Sequence, residues 1–237
     1  MNDYYETLIK NIKKLKAQRL SGLVGRLFIR GQGGKLTLRV AESAVFLKRF
    51  VKKPRQVGSV IPSSPFLTRA MMSKIDWDDA RYVAELGAGT GVFTRAIINN
   101  LKPDGKVLVF EIDPALKTMV ENEHPGLTVY GDATELLQII DDQGIKQLDY
   151  IVSSLPFAVL PPRVTASVLD AVYKCLKPGG KLIAYQYSKH MKNYFQKRFE
   201  NVTTSFVLCN VPPAFVYECT KAAEEPKKVY KKRCAAS

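Results

Sequence analysis

The sequence offers little with which to hold a metal or a disulfide. Its four cysteines, Cys175, Cys209, Cys219 and Cys234, form no CxxC pair and no cluster with the two histidines, His124 and His190. That spacing excludes a structural zinc site and predicts reduced thiols in a cytosolic protein. Long apolar runs are missing too. No stretch approaches the roughly 18 residues that cross a bilayer. The first residues, MNDYYETLIKNIKKLKAQRL, have no apolar run followed by small residues, so no secretory leader is expected. Neither GKS nor GKT occurs, which removes the lysine that a triphosphate-binding loop requires.

What is present in excess is positive charge, unevenly placed. The chain of 237 residues carries a net +14. Residues 1–55 hold fourteen Lys/Arg against three Asp/Glu, and residues 221–237 hold six against two. The 56–220 stretch is left with sixteen basic and seventeen acidic residues, close to neutral. A neutral core with basic ends places any polyanion-binding surface at those ends.

Periodicity divides the chain in the same way. Residues 3–29 read as an amphipathic helix, with Tyr5, Leu8, Ile12, Leu15, Leu23 and Leu27 on one side and lysines on another. A second helical segment, 36–52, stops before Pro54. From residue 65 helices alternate with strands: ARYVAELG, GKVLVFEID, LTVYGDA, LDYIVSSLP and KLIAYQYS read as strands separated by helical segments. One helix is expected over VTASVLDAVYKCLKPGG, closed by Gly179, and another over KHMKNYFQKRFEN. TTSFVLCN and AFVYECT close the pattern as a pair without a helix between them, hence an antiparallel edge. The expected fold is α/β: a doubly wound, mostly parallel seven-stranded sheet with an amphipathic N-terminal extension. It divides into a basic extension (1–55), a catalytic domain (56–220) and a basic tail (221–237) expected to be disordered.

The chemistry concentrates in VAELGAGTGVFT. Gly87, Gly89 and Gly91 lie between a strand and a helix, where bare backbone lets a ligand approach. Alone, such a loop is also an ordinary tight turn. Glu111 ends the next strand twenty residues after Gly91, where a carboxylate accepts from both hydroxyls of a ribose. Asp132 ends the third strand, placed to accept from an adenine amino group. Position 92 is valine, not the third glycine of the usual dinucleotide fingerprint. A nucleoside without phosphates fits this set, and S-adenosylmethionine fits best.

In order, ELGAGTGVFT, FEIDP, GDA and IVSSLPF resemble the signature motifs of class I S-adenosylmethionine-dependent methyltransferases with a Rossmann-like fold, over residues 81–190. The resemblance implies that Glu85 orients the loop toward the methionine ammonium, that Glu111 holds the ribose and Asp132 the adenine. It extends the cofactor set to Ser59, Val60, Ala88, Thr90, Ile112, Ala133 and Ser153. The ribosomal RNA adenine dimethyltransferases share these motifs, but their fourth motif begins with an asparagine that grips the adenine amine. Ser154 stands there in this chain, followed by Leu155, Pro156 and Phe157. A serine cannot reproduce that amide's paired donor and acceptor, so a flat aromatic amine fits poorly.

The chain further resembles the bacterial phospholipid N-methyltransferases, in VGSVIPSS, in SSLP, in a tyrosine closing the fifth strand (Tyr187) and in VPPAFVY. That resemblance implies methyl transfer to the amine head group of a phospholipid such as phosphatidylethanolamine and its methylated forms. It also implies a cytoplasmic enzyme held peripherally on the inner face of an anionic membrane, without metal and without nucleic acid. Ser154, Leu155, Pro156, Phe157 and Tyr185 are the expected substrate contacts, with aromatic walls suited to methylated ammonium groups. Tyr187 is the expected proton acceptor and His190 the alternative. Tyr185 and Tyr187 also read as ordinary strand tyrosines, His190 as a surface histidine, and the N-terminal helix as a packing element. An RNA adenine methyltransferase, a small-molecule or protein methyltransferase, and an RNA-bound scaffold without chemistry remain the alternative readings.

Overall fold

A computed structural model describes residues 63–223. The N-terminal extension with its two expected helices, Ser59, Val60 and most of the tail lie outside the described residues.

Helix α1, Pro65–Met72, begins the described fold, and its start is written locally. Ser64 caps it by accepting from the Leu67 amide, and Pro65 occupies the first turn, where no amide partner is needed. There follow β1 (Tyr82–Leu86), α2 (Val92–Asn100), β2 (Lys106–Phe110) and α3 (Pro114–Glu123). Asp113 caps α3 through the amides of Ala115 and Leu116. After β3 (Val129–Tyr130) and a 3-10 turn come α4 (Leu136–Asp142), β4 (Leu148–Ser153), α5 (Pro162–Cys175) and β5 (Leu176–Gln186). A second 3-10 turn (Lys189–Met191) leads into α6 (Lys192–Gln196), then β6 (Asn201–Val207) and β7 (Ala214–Thr220).

The seven strands run in the order β3-β2-β1-β4-β5-β7-β6. The first five are parallel, and β7 joins β5 and β6 antiparallel. Alternate residues feed opposite faces. On one, Ala84, Leu86, Leu108, Phe110, Leu182 and Ala184 pack under α4, α5 and α6. On the other, Val83, Val152, Ile183 and Val216 pack under α1 and α2, with Val109, Val129 and Val120 continuing that layer beneath α3. The sheet is therefore wound on both faces, as its apolar strands require. Cys175 and Cys219 are free thiols within this core, and burial pushes the Cys175 thiol up to about 12.

Two element boundaries differ from the expectation. The helix expected to run to Gly179 stops at Cys175, and β5 begins at once with Leu176 opposite Leu148. A proline at 178 has no amide for the helix ladder and its ring would meet the preceding turn, so the chain leaves the helix early. The register then shifts between Leu148 and Tyr150, a bulge that absorbs the KPGG segment. The helix expected over 189–201 is a 3-10 turn followed by only Lys192–Gln196. Its apolar content, Met191, Phe195 and Phe199 at intervals of four, is buried, while the rest of the segment is mostly polar.

The order of strands reverses between β1 and β4. In an open α/β sheet the crevice beyond the carboxyl ends of such a pair is where ligands bind. The glycine loop follows β1 and the SSLPF segment follows β4, so the topology sets the two side by side.

Candidate functional site

The glycine loop is pinned by its neighbour strand. The amides of Gly87 and Ala88 both donate to the Phe110 carbonyl, at 2.8 and 3.0 Å. Gly87 has φ +85°, and a Cβ there would stand 2.9 Å from Ser154 Oγ and 3.2 Å from a Leu155 methyl. Gly89 has φ +57°, but a Cβ there would meet nothing within 4 Å. The first glycine is demanded by packing. The second faces open space, the cradle that a cofactor needs.

Two carboxylates face this loop. Glu85, on β1, is buried, and its Oε2 accepts from Thr94 Oγ1 at 2.6 Å. Its other oxygen, Oε1, is buried without a partner. Burial dominates and pushes the Glu85 carboxyl up to about 7, against the opposing Thr94 bond and with help from the nearby Glu111 charge. Glu111 bridges two backbone amides: Oε2 accepts from Gly89 at 2.7 Å and Oε1 from Asp113 at 2.8 Å. Burial raises its pKa, and these amide bonds resist the rise. Glu111 thus ties the glycine loop to the end of β2. Ile112 beside it is partly buried against the core.

Asp132 sits beyond β3, half-buried, and its Oδ1 accepts from both the amide and the hydroxyl of Thr134 at 2.8 Å. Ala88 and Ala133 are buried, and Thr90 is partly exposed on the loop. Gly91 caps α2 in the left-handed region. The carboxylates, the loop and Asp132 line the carboxyl ends of β1, β2 and β3. An unpartnered buried oxygen at Glu85 and the open space at Gly89 fit a ligand bearing an ammonium group and a nucleoside, as S-adenosylmethionine does.

The segment after β4 is bonded directly to this loop. The Ser154 amide donates to the Leu86 carbonyl at 3.0 Å, and its hydroxyl donates to the Gly87 carbonyl. Ser153 is fully buried and accepts from the Leu155 amide. Leu155 is buried and Pro156 half-exposed. Phe157 departs from its expected place as a ring stacked on substrate. It is 2% exposed and packs edge-on against Phe195, with centroids 6.0 Å apart, inside the core under α5 and α6. A phenyl ring with no hydroxyl has no polar tie to the crevice, and Phe195 offers it an apolar seat.

The expected aromatic wall lies on the opposite face of β5. Tyr187 is edge-on to Tyr185 at 5.7 Å, and Tyr185 in turn lies 6.0 Å from Phe93 of α2. This row of three rings runs from the helix after the glycine loop to the end of β5. His190 is exposed on its 3-10 turn, with Nδ1 paired to Ser188 Oγ at 2.9 Å, as a surface histidine would be.

Three positions escaped the sequence reading. Thr94 is the hydroxyl that holds Glu85. Tyr217 donates to the Ser188 carbonyl at 3.1 Å, fixing the chain just past Tyr187. Gln186 is buried between Tyr185 and Tyr187, and its Nε2 donates to the Leu155 carbonyl at 2.8 Å. Its Oε1 accepts from the Ala158 amide at 3.3 Å, so one side chain clamps both flanks of the proline turn. Its signal was present: in LIAYQY, Gln186 falls on the same face as Leu182 and Ala184, a polar residue in a core position.

Among the described residues no group of His, Cys, Asp and Glu could hold a metal ion, and no helix is long and apolar enough to cross a membrane. A family model described as a methyltransferase domain matches residues 84–182. The chain is 36% identical over 185 residues to ornithine lipid N-methyltransferase from Singulisphaera acidiphila, covering 76% of this chain and 96% of that protein. Among solved structures it resembles the N-methyltransferase NodS from Bradyrhizobium japonicum bound to S-adenosyl-L-homocysteine. The TM-score is 0.52 at 14% identity, over 67% of this chain and 88% of that one. An S-adenosylmethionine-dependent O-methyltransferase from Thermotoga maritima aligns with the same TM-score and identity, over 69% and 67%. These structures share the fold.

Proposed function

The chain belongs to the class I S-adenosylmethionine-dependent methyltransferases, in the bacterial family of lipid N-methyltransferases, and from that premise we propose that it methylates the amine head group of a membrane lipid. The observation that carries this reading is the near full-length likeness to an ornithine lipid N-methyltransferase. The acceptor is an aliphatic amine, in a lipid of the phosphatidylethanolamine or the ornithine type. The serine at 154 supports it: its hydroxyl is committed to the Gly87 carbonyl, leaving no amide to grip an adenine.

S-adenosylmethionine, when bound, supplies an electrophilic sulfonium methyl. The residues that would hold it are Glu85, Gly87, Gly89, Glu111 and Asp132. Glu85 Oε1 would take the ammonium, Glu111 the ribose hydroxyls and Asp132 the adenine amine. The rest of the task is positioning, which lowers such barriers by ~7–11 kcal/mol when reactants are held in line. Gln186 and Ser154 fix the proline turn against the glycine loop, setting the floor on which the acceptor amine rests. Tyr185 and Tyr187 form a wall that favours the cationic product, at about 0.5–2 kcal/mol. The amine must lose its proton before attack, and Tyr187, 42% exposed, passes that proton to water.

Long-range attraction to the lipid surface falls to the basic ends, since residues 56–220 have no net cationic surplus. Each Lys or Arg near an anionic bilayer contributes about 1 kcal/mol. Residues 1–30 supply the amphipathic docking helix in this proposal. Transfer of labelled methyl groups to total lipid, total RNA and total protein tests the class. Label in lipid supports it, and label in RNA alone overturns it.

A further inference from the structure

Among the described residues, the four large apolar side chains that are more than half exposed gather at one end of the sheet. They are Phe66 (58%), Phe206 (54%), Leu208 (70%) and Val211 (72%). Leu208 and Val211 lie in the turn between β6 and β7. Phe215, at the start of β7, pairs with Gln186, the last residue of β5. The turn therefore stands at the same end of the sheet as the glycine loop and Tyr187. Phe206 stacks on Phe215 with centroids 4.9 Å apart.

This apolar tip is held rigidly. Asn210 is buried within the turn, and its Oδ1 accepts from the Ser64 amide at 3.0 Å while its Nδ2 donates to the Pro212 carbonyl at 2.7 Å. The first bond ties the start of α1, and with it Phe66, to the turn. A buried amide satisfied on both sides keeps the turn from folding its apolar side chains back onto the protein.

The charge around the tip is one-sided. Residues 201–217 contain no charged side chain. Residues 183–199, which end β5 and form the next turn and α6, contain Lys189, Lys192, Lys197 and Arg198 and no acid. Arg198 is paired with Asp170, whereas Lys189 and Lys192 are exposed, and the Lys189 ammonium lies 5.1 Å from the Phe215 ring centroid. An uncharged apolar tip with a cationic border matches the interfacial layer of an anionic bilayer. A second copy would set cation against cation.

We propose that the β6–β7 turn, together with Phe66, inserts into the interface of an anionic phospholipid membrane beside the mouth of the methyl-transfer site. This rests on the lipid reading above. It orients the sheet with its carboxyl ends toward the bilayer, so that a head group reaches Tyr187 and the proline turn without leaving the surface. The docking surface is distinct from the N-terminal segment.

The test compares the full chain with the double variant Leu208→Glu/Val211→Glu, and with Leu208→Ser/Val211→Ser as a milder pair. Flotation with phosphatidylglycerol–phosphatidylcholine vesicles reads binding, and calorimetry with S-adenosylmethionine reports whether each variant is folded. The expected result is vesicle binding weakened by about tenfold or more in the glutamate pair and less in the serine pair, with cofactor affinity within about twofold. Activity should fall on amine lipid in vesicles but not on a short-chain monomeric form of the same lipid. Vesicle binding unchanged in both pairs overturns the proposal. A changed oligomeric state with unchanged vesicle binding assigns the surface to a second copy, and unchanged binding with looser attachment of the N-terminal segment to proteolysis assigns it to that segment. If the wild-type protein binds vesicles through this turn yet methylates neither lipid form, the docking stands and the lipid-methyltransferase reading fails.

Discussion

Thr94 Oγ1 donates to Glu85 Oε2 at 2.6 Å, joining the first turn of α2 to the buried end of β1, while Glu85 Oε1 is left without a partner. This half-satisfied carboxyl is protonated up to about pH 7 in the folded chain but ionises near 4.5 when exposed. Between those values the folded state holds more protons than the unfolded state. Raising the pH through that window therefore favours unfolding, and Glu85 accounts for a loss of about 3 kcal/mol once the pH passes 7. Denaturant titrations at pH 5 and pH 8 should show a pH-dependent loss in the wild type that Glu85→Gln largely removes. An equal loss in both proteins would contradict the assignment.

The same group predicts how cofactor binding depends on pH. A ligand ammonium at Oε1 is attracted only to the ionised carboxylate, so affinity for S-adenosylmethionine should rise as pH climbs from 5.5 to 7.5. Calorimetry on the wild type and Glu85→Gln checks this, with a flatter profile expected in the variant.

Glu111→Ala and Asp132→Ala should each weaken S-adenosylmethionine by an order of magnitude or more. They should differ in stability. Removing Glu111 strands the amides of Gly89 and Asp113, at about 1–3 kcal/mol. Asp132 is half-exposed and holds only Thr134, so its loss should cost about 1 kcal/mol or less.

Gly87 and Gly89 separate packing from binding. Gly87→Ala drives a methyl toward Ser154 and Leu155 in a left-handed backbone, and should lower stability by about 2 kcal/mol or more. Gly89→Ala meets no protein atom and should cost only about 1 kcal/mol of backbone strain, yet it places a methyl in the ligand's space. Thermal melts should rank Gly87→Ala as the less stable, while calorimetry should show weakened cofactor binding by Gly89→Ala.

Gln186→Leu should cost about 1–3 kcal/mol, because the Leu155 carbonyl and the Ala158 amide lose their buried partner. If the clamp also positions the acceptor, kcat should fall while cofactor affinity holds. Unchanged kcat with lowered stability would make Gln186 purely structural.

The strands were legible because their apolar residues alternate or run together between glycines and prolines, and Glu111 and Asp132 were legible because each follows a strand at a spacing with a chemical meaning. Glu85, inside β1, was marked only by the resemblance of its motif. Thr94 was hidden because its role is a side-chain contact between a helix and a strand, which periodicity does not encode. Gln186 was visible only as a polar residue in a core position. The motif around Phe157 suggests a ring stacked in the crevice, but burial depends on what lies opposite, and Phe195 lies there. Gly179 has the look of a helix stop in the sequence, but Pro178 acts sooner and α5 ends at Cys175.

The most direct test of the central claim supplies purified protein and labelled S-adenosylmethionine with vesicles of defined lipids. One set contains phosphatidylethanolamine, one an ornithine lipid, and one phosphatidylcholine, which has no transferable amine proton. The account predicts methylated head groups, identified by mass spectrometry, from at least one of the first two and none from the third. Product from neither amine lipid, with the cofactor bound at normal affinity, would contradict it.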